Sequence, residues 1–280
     1  MRRRLDTELV RRGLMTSREH AVEAIALGRV RVAGAIAEKA SRQVDAAEPI
    51  ELAGPRARFV SRGGEKLAGA LERFAIDPSG LTVLDVGAST GGFTDCLLQF
   101  GAARVVAVDV GHGQLHERIR LDVRVEVLER TNIRNLGPER LDGRRFPLVV
   151  ADLSFISLTT VASAVVGLTA EHGTIIALIK PQFEAGRVEV SRGRGVITDP
   201  SLWRRAVEQV RDAFAAAGAV MMDVMESPIR GAEGNVEFLA RFVHAEPASD
   251  GQTVDLSARL AAIGGTGEGS TYVGLRCPTA

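Results

Sequence analysis

Apolar residues recur along this chain with two periods, and the places where the period changes divide it into segments. From Leu5 to Leu52 the spacing is first helical and then alternating. Leu5, Leu9 and Val10 share one helical face, which Gly13 ends. Ser17 caps a second helix through Ala21, Val22 and Ile25 to Leu27, with Gly28 as its stop. Val30-Arg31-Val32 alternates as a strand, Gly34 turns it back, and Ile50-Glu51-Leu52 forms another. These signals predict a small α+β unit over residues 1–53, near the lower size limit for independent folding. Residues 54–62 read as a linker.

A different pattern follows. Leu67, Ala70, Leu71 and Phe74 line one face of a helix that begins at Lys66. Apolar runs at 81–86, 104–109, 125–128, 146–152 and 173–180 then alternate with helical stretches, notably 95–100, 158–168 and 202–217. Late strands are expected at 220–226 and 236–243. Apolar strands separated by helices predict an α/β fold over 63–244: a Rossmann-like parallel sheet with helices on both faces. From 245 to 280 the composition predicts a flexible tail with one short helix at 256–263.

Composition narrows the classes of function. Hydrophobic residues make up 45% of the 280 residues, enough for a sizeable core, whereas aromatics make up only 4%. No apolar run reaches the roughly 18 residues of a membrane span. The start of the chain has no apolar core behind its arginines and does not read as a secretory signal. Two cysteines, Cys96 and Cys277, are too few and too far apart for a disulfide framework or a metal site. The expectation is a cytoplasmic protein without a membrane span or a metal. The net charge of zero hides a split: residues 1–66 carry fourteen basic and nine acidic groups, and the remainder 21 and 26. A basic module joined to a near-neutral body suits a polyanionic partner.

The kind of base is informative as well. Only Lys39, Lys66 and Lys180 are lysine, against 32 arginines. Where charge alone matters this chain uses arginine, so a lysine points to a position that needs an amine, which can lose its proton where a guanidinium cannot.

Two neighbourhoods carry candidate chemistry. The first strand of the α/β region ends in Asp85-Val86-Gly87, followed by Ala88-Ser89-Thr90-Gly91-Gly92-Phe93; the second ends in Asp109. A glycine-rich turn followed by an acid at the next strand end is a nucleotide-type site, the acid taking the two hydroxyls of a ribose. Ser89 breaks the dinucleotide fingerprint, and Asp85 suits the ammonium and sulfonium of S-adenosylmethionine better than a pyrophosphate. Four further polar residues, Lys66, Asp152, Lys180 and Glu237, stand at or near element ends, which face the ligand crevice of an open α/β sheet.

Resemblance sharpens both readings. Arg4-Leu5-Asp6, Leu9, Gly13, Ser17-Arg18, Ala21, Ile25 and Gly28 through Gly34 resemble the alpha-L RNA-binding domain, with Ala33 where that family has Asn. In such a module Arg4, Arg11, Arg12, Arg18, Arg29 and Arg31 would grip RNA phosphates. The region from Lys66 to Phe242 resembles FtsJ-type 2′-O-ribose methyltransferases, whose signature is a Lys-Asp-Lys-Glu tetrad in this order. With both parts together the chain is similar to the TlyA/hemolysin A family. The matching stretches are 60–66, 85–94, 109–115, 129–132, 151–157, 180–184 and 234–237. The resemblance implies ribose 2′-O methylation of ribosomal RNA, at cytidines of 16S or 23S rRNA or both, on the RNA or on ribosomal subunits. A ribose hydroxyl is a poor nucleophile and needs a base. Lys180 is read as that base with Lys66 as a second cation, Asp152 as the group orienting Lys180, and Glu237 as the holder of Lys66 or the ribose. Asn132 is either an adenine contact or a turn residue. Phe155 is read as core in preference to a ring packed near the cofactor, and Arg187, Arg192 and Arg194 as a loop that closes on RNA or is merely solvated. The competing readings are a nicotinamide-dependent oxidoreductase, a membrane-active hemolysin and a catalytically inactive RNA-binding factor.

Overall fold

A computed structural model describes residues 2–15, 18–26, 28–53, 58–185, 195–231, 233–245 and 257–263. Expectations for Ser17, Leu27, Arg187, Arg192, Arg194, the first half of the linker and most of the tail lie outside the described residues. The chain divides into two compact units, Met1–Arg58 and Phe59–Ala280.

The first unit comprises β1 (Arg3–Arg4), α1 (Leu5–Arg11), α2 (Arg18–Ala26), β2 (Val30–Val32), β3 (Ala35–Ile36), β4 (Gln43–Val44) and β5 (Ile50–Leu52). β2 runs antiparallel between β3 and β5, and β1 pairs with β4. The apolar faces predicted from the spacing meet: Leu5 and Leu9 pack with Ala21, Ile25, Val30, Val32 and Val44. The β2–β3 turn puts Ala33 at φ 51 and Gly34 at φ 81. A two-residue hairpin turn needs positive φ at both positions, which explains an asparagine preference where Ala33 stands.

The second unit comprises α3 (Gly63–Arg73), β6 (Thr82–Val86), α4 (Gly92–Gln99), β7 (Arg104–Val108), α5 (Glu117–Arg120), β8 (Val125–Leu128), β9 (Phe146–Ala151), α6 (Ala162–Leu168), β10 (Thr169–Ile179), α7 (Pro181–Glu184), α8 (Pro200–Ala216), β11 (Ala219–Glu226), β12 (Phe238–His244) and α9 (Ser257–Ala262). The strands form one seven-stranded sheet in the order β11-β12-β10-β9-β6-β7-β8. Alternate residues serve opposite faces. Leu67, Leu71 and Leu97 of α3 and α4 pack on Val83, Val105, Val150, Ile176 and Leu178. Val165 of α6 and Val207, Val210 and Phe214 of α8 pack on Val149, Ile175, Ala177 and Phe242.

The sheet is Rossmann-like but not wholly parallel. β12 runs antiparallel to both β10 and β11. Residues 227–237, between β11 and β12, contain no helix among the described residues, and a return without a crossover helix yields an antiparallel partner. The reversal matters for the site. The start of β12, not its end, lies at the edge where the parallel strands finish. The chain order also reverses between β6 and β9, which places the ligand crevice of such a sheet at their carboxyl ends.

Candidate active site

Each member of the Lys-Asp-Lys-Glu set reaches this edge by a different route. Asp152 follows β9, and its backbone N–H donates to the Val86 carbonyl at 3.0 Å, which seats it beside the end of β6. Lys180 follows β10. The β10–β12 ladder ends with Ile179 opposite Phe238, so the next residues outward are Lys180 and Glu237. Lys66 comes from α3. The set forms two couples. Lys66 Nζ donates to Glu237 Oε2 at 2.5 Å. Lys180 Nζ is ion-paired with Asp152 Oδ1 at 2.6 Å and donates to Ser154 Oγ at 2.9 Å. Lys66 and Lys180 are each 7% exposed and Glu237 3%, so none of the three is a solvated surface charge.

The glycine-rich loop lies alongside. Gly87 takes φ +85, and a Cβ there would stand 2.4 Å from the Asp152 carbonyl oxygen, so only glycine lets β6 end against the turn that carries Asp152. Beyond it a pocket is lined by Ala88, Ser89, Ala107, Asp109, Gly111, Gln114, Leu115, Val127 and Glu129. The Asp109 carboxylate accepts from the backbone N–H groups of Ser89 at 2.7 Å and Gly111 at 2.6 Å. Glu129 accepts from Arg120, from Gly113 N at 2.9 Å and from His112 Nδ1 at 2.7 Å. Arg120 foremost holds its carboxyl below the usual range.

Of the residues expected around a cofactor, Ala88, Ser89 and Asp109 line this pocket and others are placed differently. Phe93 is buried in the core under α3, and Gly92 starts α4 so close to Ser61 that a Cβ would meet its Oγ at 2.2 Å. Gly91, at φ 92, caps α4, and the carbonyl of Thr90 accepts from His116 N. Asn132 uses its side-chain oxygen to cap the short turn Ile133–Asn135, the alternative left open for it. Glu129, Gln114 and Leu115 were missed as site residues. Glu129 follows β8 as Asp109 follows β7, and the same strand-end rule could have found it.

Asp85 departs from expectation. It is fully buried beneath the loop, accepts from Thr94 Oγ1 at 2.6 Å, and its Oδ1 has no hydrogen-bond partner among the described residues. Burial, opposed by the Thr94 hydrogen bond, pushes its carboxyl up to about 7. A raised folded value gives an acid contribution that is fully present below the unfolded value of 3.8 and lost as pH rises through about 7. Asp85→Asn is therefore expected to raise the melting temperature at pH 8 and to gain much less at pH 5; calorimetry at the two pH values checks this.

Phe155, read as core, is 92% exposed at φ 63. Its ring lies 5.3 Å from that of Phe183, whose centroid is 5.9 Å from Lys180 Nζ. The exposed Phe155 ring thus packs against the ring that neighbours the amine.

In the first unit two buried acids organise the arginines. Asp6 accepts two bonds from Arg4, at 3.1 and 2.8 Å, and one from Arg18 at 3.0 Å. Glu8 accepts two from Arg11, at 2.7 and 2.6 Å, and one from Arg12 at 2.8 Å. The Arg4 fork holds the Asp6 carboxyl well below the usual range, and Arg11, then Arg12, bring Glu8 to about 2. The side chains of Arg4, Arg11 and Arg18 remain 45%, 46% and 61% exposed. Arg12 differs: it is 20% exposed and also donates to the carbonyls of Glu48, Asp45 and Ala46. Most of its donors are consumed internally, so it is a clamp within the fold and not an open phosphate fork. Arg31 is exposed on β2, opposite Glu51, and Arg29 is half-buried.

Among the described residues no cluster of metal-ligating side chains is present and no helix is long and apolar enough to cross a membrane.

Residues 59–243 match the FtsJ-like methyltransferase family, and residues 3–50 match the S4 domain. The chain is 50% identical over 238 residues to the Mycobacterium tuberculosis 16S/23S rRNA (cytidine-2′-O)-methyltransferase TlyA, covering 85% of this chain and 88% of that protein. It is 38% identical to Hemolysin A of Brachyspira hyodysenteriae, covering 86% of this chain and 99% of that one. A solved structure from Streptococcus thermophilus, described as a candidate hemolysin, superposes with a TM-score of 0.72 at 34% identity, covering 93% of this chain and 96% of that one.

Proposed function

Because the chain belongs to the TlyA/hemolysin A family, an S4 domain joined to an FtsJ-like methyltransferase domain, we propose that it methylates ribose 2′-hydroxyls of ribosomal RNA with S-adenosylmethionine as donor. The target nucleoside is cytidine, as in the name of the M. tuberculosis relative. The observation that carries this reading is the placing of two lysine–carboxylate couples, both lysines buried, at one sheet edge, next to a glycine-turn pocket bearing a strand-end acid.

The pocket fits the cofactor by its chemistry. Asp109 can receive the two hydroxyls of a ribose, while Ala107, Leu115 and Val127 offer apolar surface to a flat base. When bound, the cofactor supplies an activated methyl group on a sulfonium. The chain's own residues do the rest. Lys180, oriented by Asp152, takes the 2′-hydroxyl proton as the oxygen attacks. Lys66, held by Glu237, faces the same oxygen and favours the developing negative charge. Phe155 offers a ring on which an unstacked base can rest. The deciding experiment is transfer of tritiated methyl from the cofactor to isolated 30S and 50S subunits, followed by mapping of the modified ribose. Absence of label in both, with free rRNA also unlabelled, would sink the proposal.

The S4 domain is the RNA-gripping part of this reading. Arg11→Ala and Arg18→Ala are each expected to weaken rRNA binding and to lower the slope of log affinity against log salt by about one. Arg12→Ala is expected to lower the melting temperature first. Filter binding across a potassium chloride series, beside thermal melts, separates the two behaviours.

A further inference from the structure

We infer that Ser154 is a positioning residue that aims the Lys180 amine. The inference rests on the reading of Lys180 as the base. An amine able to accept a proton carries two N–H bonds and one lone pair. With a single acceptor it rotates about Cε–Nζ, and the lone pair sweeps a cone. Two fixed acceptors occupy both N–H directions and leave the lone pair the remaining tetrahedral direction. Asp152 supplies one such point, its Oδ1 lying 2.6 Å from Nζ, and one point alone leaves the amine free to rotate. The hydroxyl of Ser154, accepting from Nζ at 2.9 Å, is the second point.

That second point is held in place by the turn following Lys180. α7 begins at Pro181, directly after the lysine. From it Glu184 accepts from Ser157 Oγ and, at 2.9 Å, from Leu158 N. Also from α7, Phe183 meets Phe155 at 5.3 Å between centroids. These contacts bracket Ser154 from its C-terminal side, and Asp152, tied to Val86, brackets it from the other. The loop after β9 is thereby clipped to the segment that carries the amine. Ser154 itself is exposed, so its replacement by alanine removes an acceptor without opening a core cavity.

The test uses the full chain with Ser154→Ala and Ser154→Thr. Alanine is expected to lower kcat about tenfold to a hundredfold, the scale of a misaimed reacting group, with KM for the RNA unchanged; threonine keeps the hydroxyl and recovers most of the rate. A readout independent of turnover is available because the chain has only three lysines, Lys39, Lys66 and Lys180. In protein labelled with ¹⁵N at lysine Nζ, the Lys180 order parameter is expected to fall in Ser154→Ala while that of Lys66 holds. A drop in melting temperature with both lysines loosened would mean a general structural role and overturn the inference. So would unchanged kcat with unchanged Lys180 order, which leaves Lys180 standing as the base. Wild-type turnover by Lys180→Ala would remove the base assignment and this inference together.

Discussion

Lys180→Ala is expected to lower the single-turnover rate of methyl transfer by about 10²–10⁴-fold while rRNA affinity stays within about twofold, the range for loss of a general base. The reasoning begins with residue type. Arg is used at 32 of the 35 basic positions, yet lysine stands at the end of β10 after an apolar strand and is 7% exposed. A guanidinium cannot give up its proton, so Lys180→Arg is expected to be as inactive as the alanine variant although it preserves the charge opposite Asp152. Quenched-flow transfer of labelled methyl to saturating RNA measures the chemical step without product release. Activity in the arginine variant within tenfold of wild type would show that charge, not basicity, is what position 180 supplies.

The second large effect concerns stability. Lys66 and Glu237 meet at 2.5 Å with side chains 9% and 3% exposed. Removing one partner leaves the other charge buried and uncompensated, which costs about 3–5 kcal/mol. At about 2–4 °C per kcal/mol for a unit of this size, Lys66→Ala is expected to lower the melting temperature by on the order of 10 °C. The double variant Lys66→Met, Glu237→Leu removes both charges and keeps the volume, so most of that loss is expected to return. Methyl transfer is expected to stay abolished in the double variant, because refilling the core does not restore a cation near the ribose. Recovery of activity together with stability would reduce the couple to a structural brace. A single variant as stable as wild type would contradict the burial on which the argument stands.

Much of the fold was legible because its signals are local. Helical spacing at Leu67, Ala70 and Leu71 and the apolar runs of β6, β7, β9 and β10 follow from periods of 3.6 and 2, which a chain carries before it folds. Boundaries moved where the cause was not local. α4 starts at Gly92, three residues earlier than its apolar pattern suggests, because Gly91 supplies the left-handed cap. The strand at β12 was legible but its antiparallel direction was not, because periodicity carries no direction. Phe155 shows the limit of reading burial from residue type: an aromatic side chain suggests core, yet it stands at positive φ and is 92% exposed.

What the amino-acid sequence determined by itself is the inventory and its order: two units, strands that end in acids or lysines, a glycine turn after β6, and amines where arginine would be the default. Tertiary structure alone decided the partnerships. Lys66 and Glu237 are 171 positions apart, and only the reversed entry of β12 brings Glu237 beside Lys180. Likewise only the folded S4 domain reveals that Glu8 and three backbone carbonyls engage Arg12, while Arg11 on the same helix keeps its outer edge open. The physical reason is shared. Which groups a chain owns is covalent, but whether a charge is paired, buried or free depends on what other segments remove from water around it, and that environment exists only after the sheet has closed.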